Sequence, residues 1–422
     1  MRVWLINSAE ATPLDAGGIR LRRTPLLARA LLDRGHEVLW WNADFFHATK
    51  KHRFGQDKTV EVESRYTIRF IHGPGYQKHI SLARVWAHRV IAKRFLTQAE
   101  SLECPDVILS SLPTPDLIDA ATRFGKKYGI PVVLDIRDIW PDLIVEAAPR
   151  FLRPLANWVL TPYHFMVQRA CCAAAAFVSN TPKFIEWGLA KSRRSKSDDD
   201  QDFPFGYEEP EMSEDDKKNA DAFWRSQGIV PKSNQPVVAY IGMIGQNFQD
   251  DIIVRAAEKV WNRRQATFVF CGGGDRLDEL RKKYAGNRNI VLPGWVNAKQ
   301  LWRLMGHTSI ALASYKESEN LRSSLTNKTI EYMAGGLPVL FSIDDGYVAD
   351  LIRSNEIGLT YGGSADRLAE SIIRLLDDEP YRKKLSENSR NLYLKRYRSE
   401  TIYPRMAEHL ERIVRQYIFK TK

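Results

Sequence analysis

The chain has 422 residues, of which 44% are apolar and 27% are charged. This composition is typical of a globular protein, and it excludes a wholly disordered chain, a collagen-like repeat and a disulfide-stabilised miniprotein. The length predicts two domains. The four cysteines include no CxxC pair, so we expect a reducing compartment and neither a disulfide framework nor a zinc site.

The excess of positive charge lies in the first half of the chain. Residues 1–197 hold 29 Lys and Arg against 18 Asp and Glu, whereas residues 198–422 hold 33 of each. We therefore expect one face of the N-terminal half to meet an anionic partner, which could be a phospholipid surface, a lipid-linked diphosphate or a nucleic acid. The simpler alternative is a basic chain whose charge only favours solubility.

Strand-like and helical patterns alternate from the first residues onward. The predicted strands of the first half are residues 3–6, 37–41, 106–110, 131–136 and 176–179, with helices at 25–33 and 115–128. The opening run predicts a buried strand and not a secretory signal, and the most apolar stretch is too often interrupted by polar residues to predict a transmembrane span. Residues 191–218 predict a solvated linker, in which the Asp-x-Asp patterns at 198–202 are solvated charge and not metal ligands.

A second alternation of the same kind follows the linker. Its predicted strands are residues 237–241, 267–271, 290–292, 309–313 and 339–342, and its helices are residues 252–263, 277–284, 298–305, 328–334 and 365–376. We therefore predict an α/β protein with two tandem Rossmann-like domains, each a doubly wound parallel sheet, at 1–205 and 206–400. The last helix, within 401–422, could pack on either domain. Ligands of such sheets bind beyond the carboxyl ends of the strands, so a cleft faced by both domains is the expected site.

The predicted helix at 81–98 mixes basic and apolar residues. Its basic residues are Arg84, His88, Arg89, Lys93 and Arg94. This pattern is typical of a helix that lies in a membrane interface. The alternative is a core-packed surface helix with a solvated basic face.

Residues 323–339 carry the most informative pattern in the chain. Polar residues cap a short helix that ends at two glycines, and Lys328 stands near its N-terminus, where backbone N–H groups favour a diphosphate. Glu331 lies about one turn further on, where one carboxylate could accept hydrogen bonds from both hydroxyls of a ribose. The alternative is a capped helix with an ordinary surface Glu.

Residues 327–339 (Asn-Lys-Thr-Ile-Glu-Tyr-Met-Ala-Gly-Gly-Leu-Pro-Val) resemble the nucleotide-sugar signature of retaining GT-B glycosyltransferases of family 4. Residues 238–245, 268–275 and 291–296 resemble, in order, the glycine-containing strand ends of that family's donor domain. The resemblance implies a nucleotide-sugar site made of Gly242, Gly245, Gly272, Gly273, Trp295, Val296, Arg322, Ser323, Ser324, Asn327 and Glu331.

The first half resembles the same family. Residues 16–23 are similar to its glycine loop, which implies phosphate or acceptor contacts by Gly17, Gly18, Arg20 and Arg22, with Arg23 beside them. Residues 133–141 resemble a motif of bacterial surface-polysaccharide enzymes of the N-acetylfucosaminyl transferase-like branch.

Four positions depart from the family pattern, and three of them lie in the second half of the chain. Ser323 stands where many members have a Glu that contacts the donor sugar, and Glu317 or Glu319 could compensate. Met243 and Phe248 replace the usual cations that hold the diphosphate, which leaves Lys328 and Arg322 as candidates.

Arg137 stands where many members have a catalytic His. We therefore take Arg137, Asp138 and Lys328 as the catalytic candidates, with Asp138 contacting the acceptor or the donor sugar. The alternative role for Asp138 is to cap the following turn, held by Arg137.

The resemblance implies a retaining glycosyltransferase that moves a sugar from a UDP donor to a polyprenyl-diphosphate-linked or glycan acceptor in bacterial polysaccharide or O-antigen biosynthesis. We expect no cofactor, no metal and no nucleic acid, and a cytoplasmic enzyme held at the inner membrane by its basic N-terminal domain. The alternatives are a UDP-sugar 2-epimerase of the same fold and a non-catalytic binder of membranes or nucleic acid.

Overall fold

A computed structural model describes residues 1–15, 20–77, 81–230, 235–245 and 248–421. Its residues fall into two compact units. The first contains residues 1–15, 20–206 and the stretch from Ser399, and the second contains Tyr207–Arg398. Both units are built on parallel sheets covered by helices, which confirms the predicted fold class.

The first unit is built on an eight-stranded sheet, counted over its described residues, with the order β10-β9-β8-β7-β1-β2-β6-β5. The strands of the unit are β1 (Arg2–Ile6), β2 (Glu37–Ala43), β3 (Phe45–Phe46), β4 (Lys51–His52), β5 (Lys58–Glu63), β6 (Tyr66–Ile71), β7 (Val107–Ser111), β8 (Val132–Ile136), β9 (Ala176–Ser179) and β10 (Gln201–Asp202). Its strands run parallel except for the edge strand β5, which is antiparallel to β6, and β3 and β4 form a separate short hairpin.

Helices cover both faces of this sheet. They are α1 (Arg23–Asp33), α2 (Leu82–Ala99), α3 (Pro115–Tyr128), α4 (Asp142–Ala147), a 3-10 helix (Arg150–Leu152), α5 (Arg153–Val159), α6 (Thr161–Ala173) and α7 (Pro182–Ser192). Alternate residues of β1 point to opposite faces, so Val3 packs in one apolar cluster and Trp4 in the other. The strands are apolar on both faces because both are buried.

Two features of the first unit differ from the sequence predictions. The strand β5 was not predicted, because it is a largely exposed edge strand whose polar residues give a weak pattern. Its neighbour β6, which is mostly buried, was not predicted either. The acidic stretch after α7 is not wholly solvated, so the prediction for Asp200 is wrong: its carboxylate is buried, pairs with Arg194 and accepts a hydrogen bond from the Phe177 N–H at 2.9 Å. Asp200 thereby attaches β10 to the sheet edge.

The second unit contains a six-stranded parallel sheet, counted over its described residues, with the order β13-β12-β11-β14-β15-β16. Its elements are α8 (Glu214–Ser226), β11 (Val237–Ile241), α9 (Asp250–Arg264), β12 (Thr267–Cys271), α10 (Leu277–Lys283), β13 (Ile290–Gly294), α11 (Ala298–Met305), β14 (Ile310–Ala313), α12 (Glu319–Ser323), α13 (Asn327–Ala334), β15 (Val339–Phe341), α14 (Tyr347–Asn355), β16 (Gly358–Thr360), α15 (Ala365–Asp377) and α16 (Glu379–Arg396). Because β11 lies between β12 and β14, the strand order reverses there, and loops that leave these strands meet at one edge.

The last helix, α17 (Ser399–Thr421), belongs to the first unit. Its apolar side places Ile402, Met406 and Leu410 in the cluster that also holds residues of α1 and β1. On the surface, Arg34 at the end of α1 pairs with Glu408 and Glu411. The helix thus completes one face of the first sheet.

Helix α2 has a buried side that includes Ala87, Ile91 and Phe95. Three of the five basic residues assigned to its outer face by sequence are placed differently. His88 is buried, the Arg84 guanidinium lies over the Trp140 ring, and Arg94 pairs with Asp57. No helix in the described part of the chain has the length and apolar character needed to cross a bilayer.

Candidate functional site

Three glycine turns lie side by side at the carboxyl edge of the second sheet. Gly242 follows β11 and Gly272 follows β12. Their φ angles are +148° and +147°, a backbone conformation that favours glycine. A Cβ on Gly272 would lie 1.8 Å from the carbonyl oxygen of Gly242. The two turns therefore pack backbone against backbone, which a side chain would prevent.

Hydrogen bonds hold these turns in register. The Ile244 N–H donates to the Gly273 carbonyl at 2.9 Å, and the Gly272 N–H donates to the Gly294 carbonyl at 2.8 Å. A Cβ on Gly273 would meet no atom within 4 Å, so this glycine borders open space. Beyond Gly294, Trp295 is exposed. The edge is thus a fixed backbone platform with room above Gly273.

Helix α13 begins at this edge and is held there by its own side chains. Thr326 caps the helix by accepting a hydrogen bond from the Thr329 N–H, and Asn327 is the first helical residue. One turn later the Tyr332 hydroxyl accepts from the Ile241 N–H and donates to the Leu312 carbonyl, both at 2.9 Å. These bonds attach α13 to the ends of β11 and β14, so its N-terminal N–H groups lie at the carboxyl edge.

Lys328 lies directly over the first glycine turn. Its Nζ donates to the Tyr240 hydroxyl at 2.6 Å and stands over the rings of Tyr240 and Tyr315, 4.1 and 4.7 Å from their centroids. A Cβ on Gly242 would lie 1.7 Å from the Lys328 Cε. The ammonium charge is therefore fixed between the β11 turn and the N-terminus of α13, the part of the edge where a phosphate is favoured.

Glu331 is buried in the same region. Burial and the negative charge of Glu331 together raise the pKa of Cys271, the last residue of β12, to about 12. Glu331 also acts on Tyr315, whose pKa is raised by burial first and by this charge. The carboxylate thus lies close to the strand ends that carry the glycine turns.

The residues before α13 have mixed surroundings. Arg322 pairs with Glu317 and Asp345, and Ser323 donates to Glu319 at 3.5 Å. Ser324 is buried. Two carboxylates thus oppose the positive charge of Arg322.

In the first unit, Arg137 belongs to a buried ion network that sequence reasoning missed. The Arg137 Nε donates to Asp135 at 2.6 Å, and its other nitrogens contact Glu10 and Thr24. Burial alone would raise the pKa of Asp135, but Arg137 and Arg23 hold it below its usual value. An Asp within the apolar run of β8 was the signal that a buried cationic partner must exist.

Arg23 pairs with Asp135 at 3.0 Å and is fully buried, so the prediction that it holds a phosphate is wrong. Its polar side chain is instead used inside the fold. Arg22 is exposed and Arg20 is half-buried, at the start of α1. Gly17 and Gly18 lie outside the described residues.

Asp138 is half-buried, and its charge acts on Arg84, which lines a small cavity of about 30 Å³ in the first unit. The cavity lies among the loops after β1, β6 and β7 and is lined by Tyr76, Arg84 and His88. Burial lowers the pKa of Arg84, and the charges of Tyr76 and Asp138 oppose that effect. Arg137 is engaged with Asp135 and Glu10, and the charge of Asp138 acts on Arg84.

A second polar cluster lies at the end of β2. The Nδ1 atoms of His52 and His72 each lie 2.8 Å from Asp44 Oδ2, and the three residues offer ligand atoms within 4.8 Å of one another. Burial raises the pKa of Asp44, but hydrogen bonds from His72 and the Phe54 amide hold it below its usual value. Imidazole and carboxylate are ligands of zinc and related metals, so the expected metal independence stays a prediction.

The second unit also has a cavity of about 340 Å³. It is lined by Trp302, Gly335 and Arg390, at the C-terminal end of α13. Lys328 and Glu331 do not line it. We assign the candidate site to the carboxyl edge, where charged groups, open backbone and a helix N-terminus coincide.

The second unit is similar to known protein sequences. Residues 224–392 match the family model of "Glycosyl transferases group 1". A relative from Methanocaldococcus jannaschii, "Uncharacterized glycosyltransferase MJ1607", is 23% identical over 184 residues, which cover 43% of this chain and 45% of that protein. The aligned stretch thus spans less than half of that relative.

Solved structures match almost the full length. Sucrose-phosphate synthase from Thermosynechococcus elongatus is similar with a TM-score of 0.71 and 16% identity, over 100% of both chains. Anabaena Alr3699/HepE in complex with UDP-glucose has a TM-score of 0.66 and 14% identity, over 97% of this chain and 99% of that one. WaaG, a glycosyltransferase involved in lipopolysaccharide biosynthesis, has a TM-score of 0.57 and 16% identity, over 96% and 98%. The chain therefore has the GT-B fold, and most of its second unit matches the family model of glycosyl transferases group 1.

Proposed function

We propose that the protein is a retaining glycosyltransferase that takes its sugar from a UDP donor bound by the second unit. The observation that carries this proposal is the carboxyl edge of the second sheet, where Lys328, Glu331 and the N-terminus of α13 surround an open glycine platform. These groups lie within the stretch that matches the group 1 family model. Alr3699/HepE, a structural neighbour, was solved with UDP-glucose.

In this proposal each part of the edge has one task. Glu331 accepts hydrogen bonds from the ribose hydroxyls, and the backbone at Gly242 and Gly272 approaches the nucleotide closely, with Gly245, Gly273, Trp295 and Val296 bordering it. Asn327, Ser323 and Ser324 lie around the α13 N-terminus. Lys328 and the helix dipole stabilise negative charge on the leaving diphosphate, with no metal required. Arg322, paired with Glu317, orients that loop.

The first unit would bind the acceptor, which we propose to be a polyprenyl-diphosphate-linked saccharide or another glycan of bacterial surface polysaccharide. Arg20, Arg22 and the glycines at 17–18 are the proposed phosphate contacts. Asp138 and the Arg84 cavity lie at the carboxyl ends of the first sheet, where an acceptor hydroxyl could be oriented. Arg137 acts through Asp135 and Glu10 by holding these loops in place. An acceptor with its lipid in the bilayer makes the enzyme a peripheral protein of the inner membrane.

The test is a screen of nucleotide sugars followed by a transfer assay. UDP-sugars should raise the melting temperature of the full chain more than ADP- or GDP-sugars do, because ligand binding stabilises the folded state. The stabilising sugar should then appear on a polyprenyl-diphosphate acceptor with its anomeric configuration retained. Stabilisation by purine nucleotides alone, or inversion at the anomeric carbon, would contradict the proposal. Epimerisation of the UDP-sugar without any acceptor would instead identify a 2-epimerase.

A further inference from the structure

A group of large apolar side chains is exposed on one part of the first unit. They belong to the 3-10 helix, to α5, to α6 and to α2, and we call them the apolar face: Leu82, Trp86, Phe151, Leu155, Trp158, Val159 and Phe165. Phe151 is 82% exposed, Trp158 is 73% exposed and Leu82 is 86% exposed. Single exposed apolar residues are ordinary, but a group of this size marks an interaction surface.

The local structure explains why these side chains have no core to enter. Among α4, the 3-10 helix and α5, no residue is buried. A helix on the surface of a water-soluble domain normally buries one apolar stripe, and α5 presents Leu155, Trp158 and Val159 outward instead. The next helix, α6, buries Val167, Ala170 and Cys171 and so anchors the segment to the domain. The exposed side of α5 is therefore better suited to an apolar environment than to water.

The outer face of α2 continues this surface. Leu82, Trp86, Arg89 and Lys93 follow the spacing of one helix side, and all four are exposed. Burial raises the pKa of Tyr163 on α6, and the charge of Arg89 on α2 opposes that effect, so these two side chains lie near one another. This helix side combines two large apolar residues at its start with two cations further along.

The sequence stretches that form the apolar face carry charges of one sign. Residues 64–99 and residues 147–185, which include the elements that form it, contain no Asp and no Glu. Arg89, Lys93 and Arg150 are exposed cations within these stretches. Cations beside exposed Trp and Phe match a bilayer, which has anionic headgroups over an apolar interior. A bilayer therefore accounts for the cations and the exposed apolar side chains together.

We infer that the 3-10 helix, α5 and the outer sides of α2 and α6 insert as one surface into the interface of an anionic phospholipid bilayer. This inference deepens the proposed membrane association by naming the surface that binds the membrane. It rests on the proposed function only in that a lipid-linked acceptor would require the enzyme to reach the membrane. It differs from a purely electrostatic attachment, because apolar insertion is not screened by salt. Binding should thus weaken at high salt without disappearing.

The experiment is co-sedimentation of the full chain with vesicles of phosphatidylglycerol and phosphatidylcholine, in the absence of nucleotide. The variant Phe151→Ser with Trp158→Ser should lose about tenfold or more in vesicle affinity, at low and at high salt, because its apolar side chains no longer enter the bilayer. The matched control is Phe419→Ser with Val230→Ser, since these residues are 83% and 56% exposed but lie outside the apolar face. The control should bind vesicles as the wild type does.

Charge should contribute separately. Arg89→Glu with Lys93→Glu should reduce binding at low salt and change it little at high salt. Equal vesicle binding by the Phe151 and Trp158 variant and the wild type would overturn the inference. A second result would also overturn it: the wild type does not bind vesicles, and light scattering shows that the wild type is a dimer and the variant is not. A second copy of the chain would then cover the apolar face. UDP affinity, measured on the same variants, reports on the second unit independently. Failure of the membrane inference can therefore be distinguished from failure of the proposed UDP site.

Discussion

Gly272 and Gly273 are neighbours with opposite backbone requirements. Gly272 has φ +147° and its Cβ would collide with the Gly242 carbonyl, whereas Gly273 has open space and no positive φ. Gly272→Ala should therefore lower the free energy of unfolding by about 2 kcal/mol or more. Gly273→Ala should leave stability unchanged or raise it by up to about 1 kcal/mol, because the unfolded chain loses freedom.

The same pair separates structure from binding. If the nucleotide occupies the space above Gly273, a methyl group there should weaken UDP binding by about tenfold or more, although the fold is intact. Urea unfolding and UDP titration of both variants measure the two effects. A Gly273→Ala protein with wild-type UDP affinity would show that the nucleotide does not approach this turn.

At the residue scale, the local sequence pattern places Glu331 and Lys328 near each other, because both lie on one short capped helix. Pairing between distant residues could not be predicted. Arg137 contacts Glu10 and Arg23 contacts Asp135 across long separations in sequence, and the choice of partner depends on how the loops pack. The charge of Asp138 likewise acts on Arg84, which lies on a helix far away in sequence.

At the scale of one element, α2 carries a pH-dependent part of the stability. His88 on its inner side has its pKa lowered to about 3 by burial, then by the charges of Arg84 and His47, from a usual value of 6.5. Below about pH 6.5 this histidine is protonated in the unfolded chain but stays neutral in the folded chain. The free energy of unfolding therefore has its full value above that pH and falls as the pH is lowered. The slope from this group approaches about 1.4 kcal/mol per pH unit.

The variant His88→Gln removes this group. Its urea midpoint should depend less steeply on pH than that of the wild type between about pH 6 and pH 5, where most carboxylates of the unfolded chain stay ionised. Asp116, whose pKa burial raises to about 6, titrates in this range in both proteins and does not affect the comparison. His409, whose pKa is lowered to about 4 by burial, then by the charge of Arg412, contributes in the same direction and remains in both proteins. Parallel curves would mean that His88 is already protonated in the folded state.

The boundaries of α2 agree closely with the sequence prediction, since Ser81 caps it and the apolar side is regular. The role of each cation was less predictable. Arg84 and Arg94 share the helix with Arg89 and Lys93, but neighbouring loops supply a ring for the first and a carboxylate for the second. Helical spacing alone does not say which side a loop will cover.

At the scale of the whole molecule, the alternating pattern was enough to predict α/β architecture because buried parallel strands are apolar throughout. The edge strand β5 and the short β10 escaped prediction, since an edge strand needs fewer apolar residues. The attachment of α17 to the first unit was left open by the sequence, as nothing local distinguishes two possible partner faces.

Metal independence is a prediction about the whole enzyme. Transfer from the UDP-sugar should continue in EDTA, because Lys328 and the α13 N-terminus supply the positive potential at the diphosphate. The melting temperature is measured in the same buffers, with His72→Ala as the comparison. A loss of activity that divalent metal restores would contradict the mechanism. A melting temperature lowered by EDTA in the wild type alone would identify the Asp44 cluster as a structural metal site.

The central claim is that the second unit binds UDP through Glu331, and calorimetric titration of the full chain with UDP tests it most directly. Glu331→Ala should weaken UDP binding by about 2–4 kcal/mol, as expected for loss of two charge-assisted hydrogen bonds. The matched control Glu258→Ala, an exposed glutamate on α9, should bind UDP as the wild type does. Equal UDP affinity of the Glu331 variant and the wild type, or a wild type that does not bind UDP, would contradict the account.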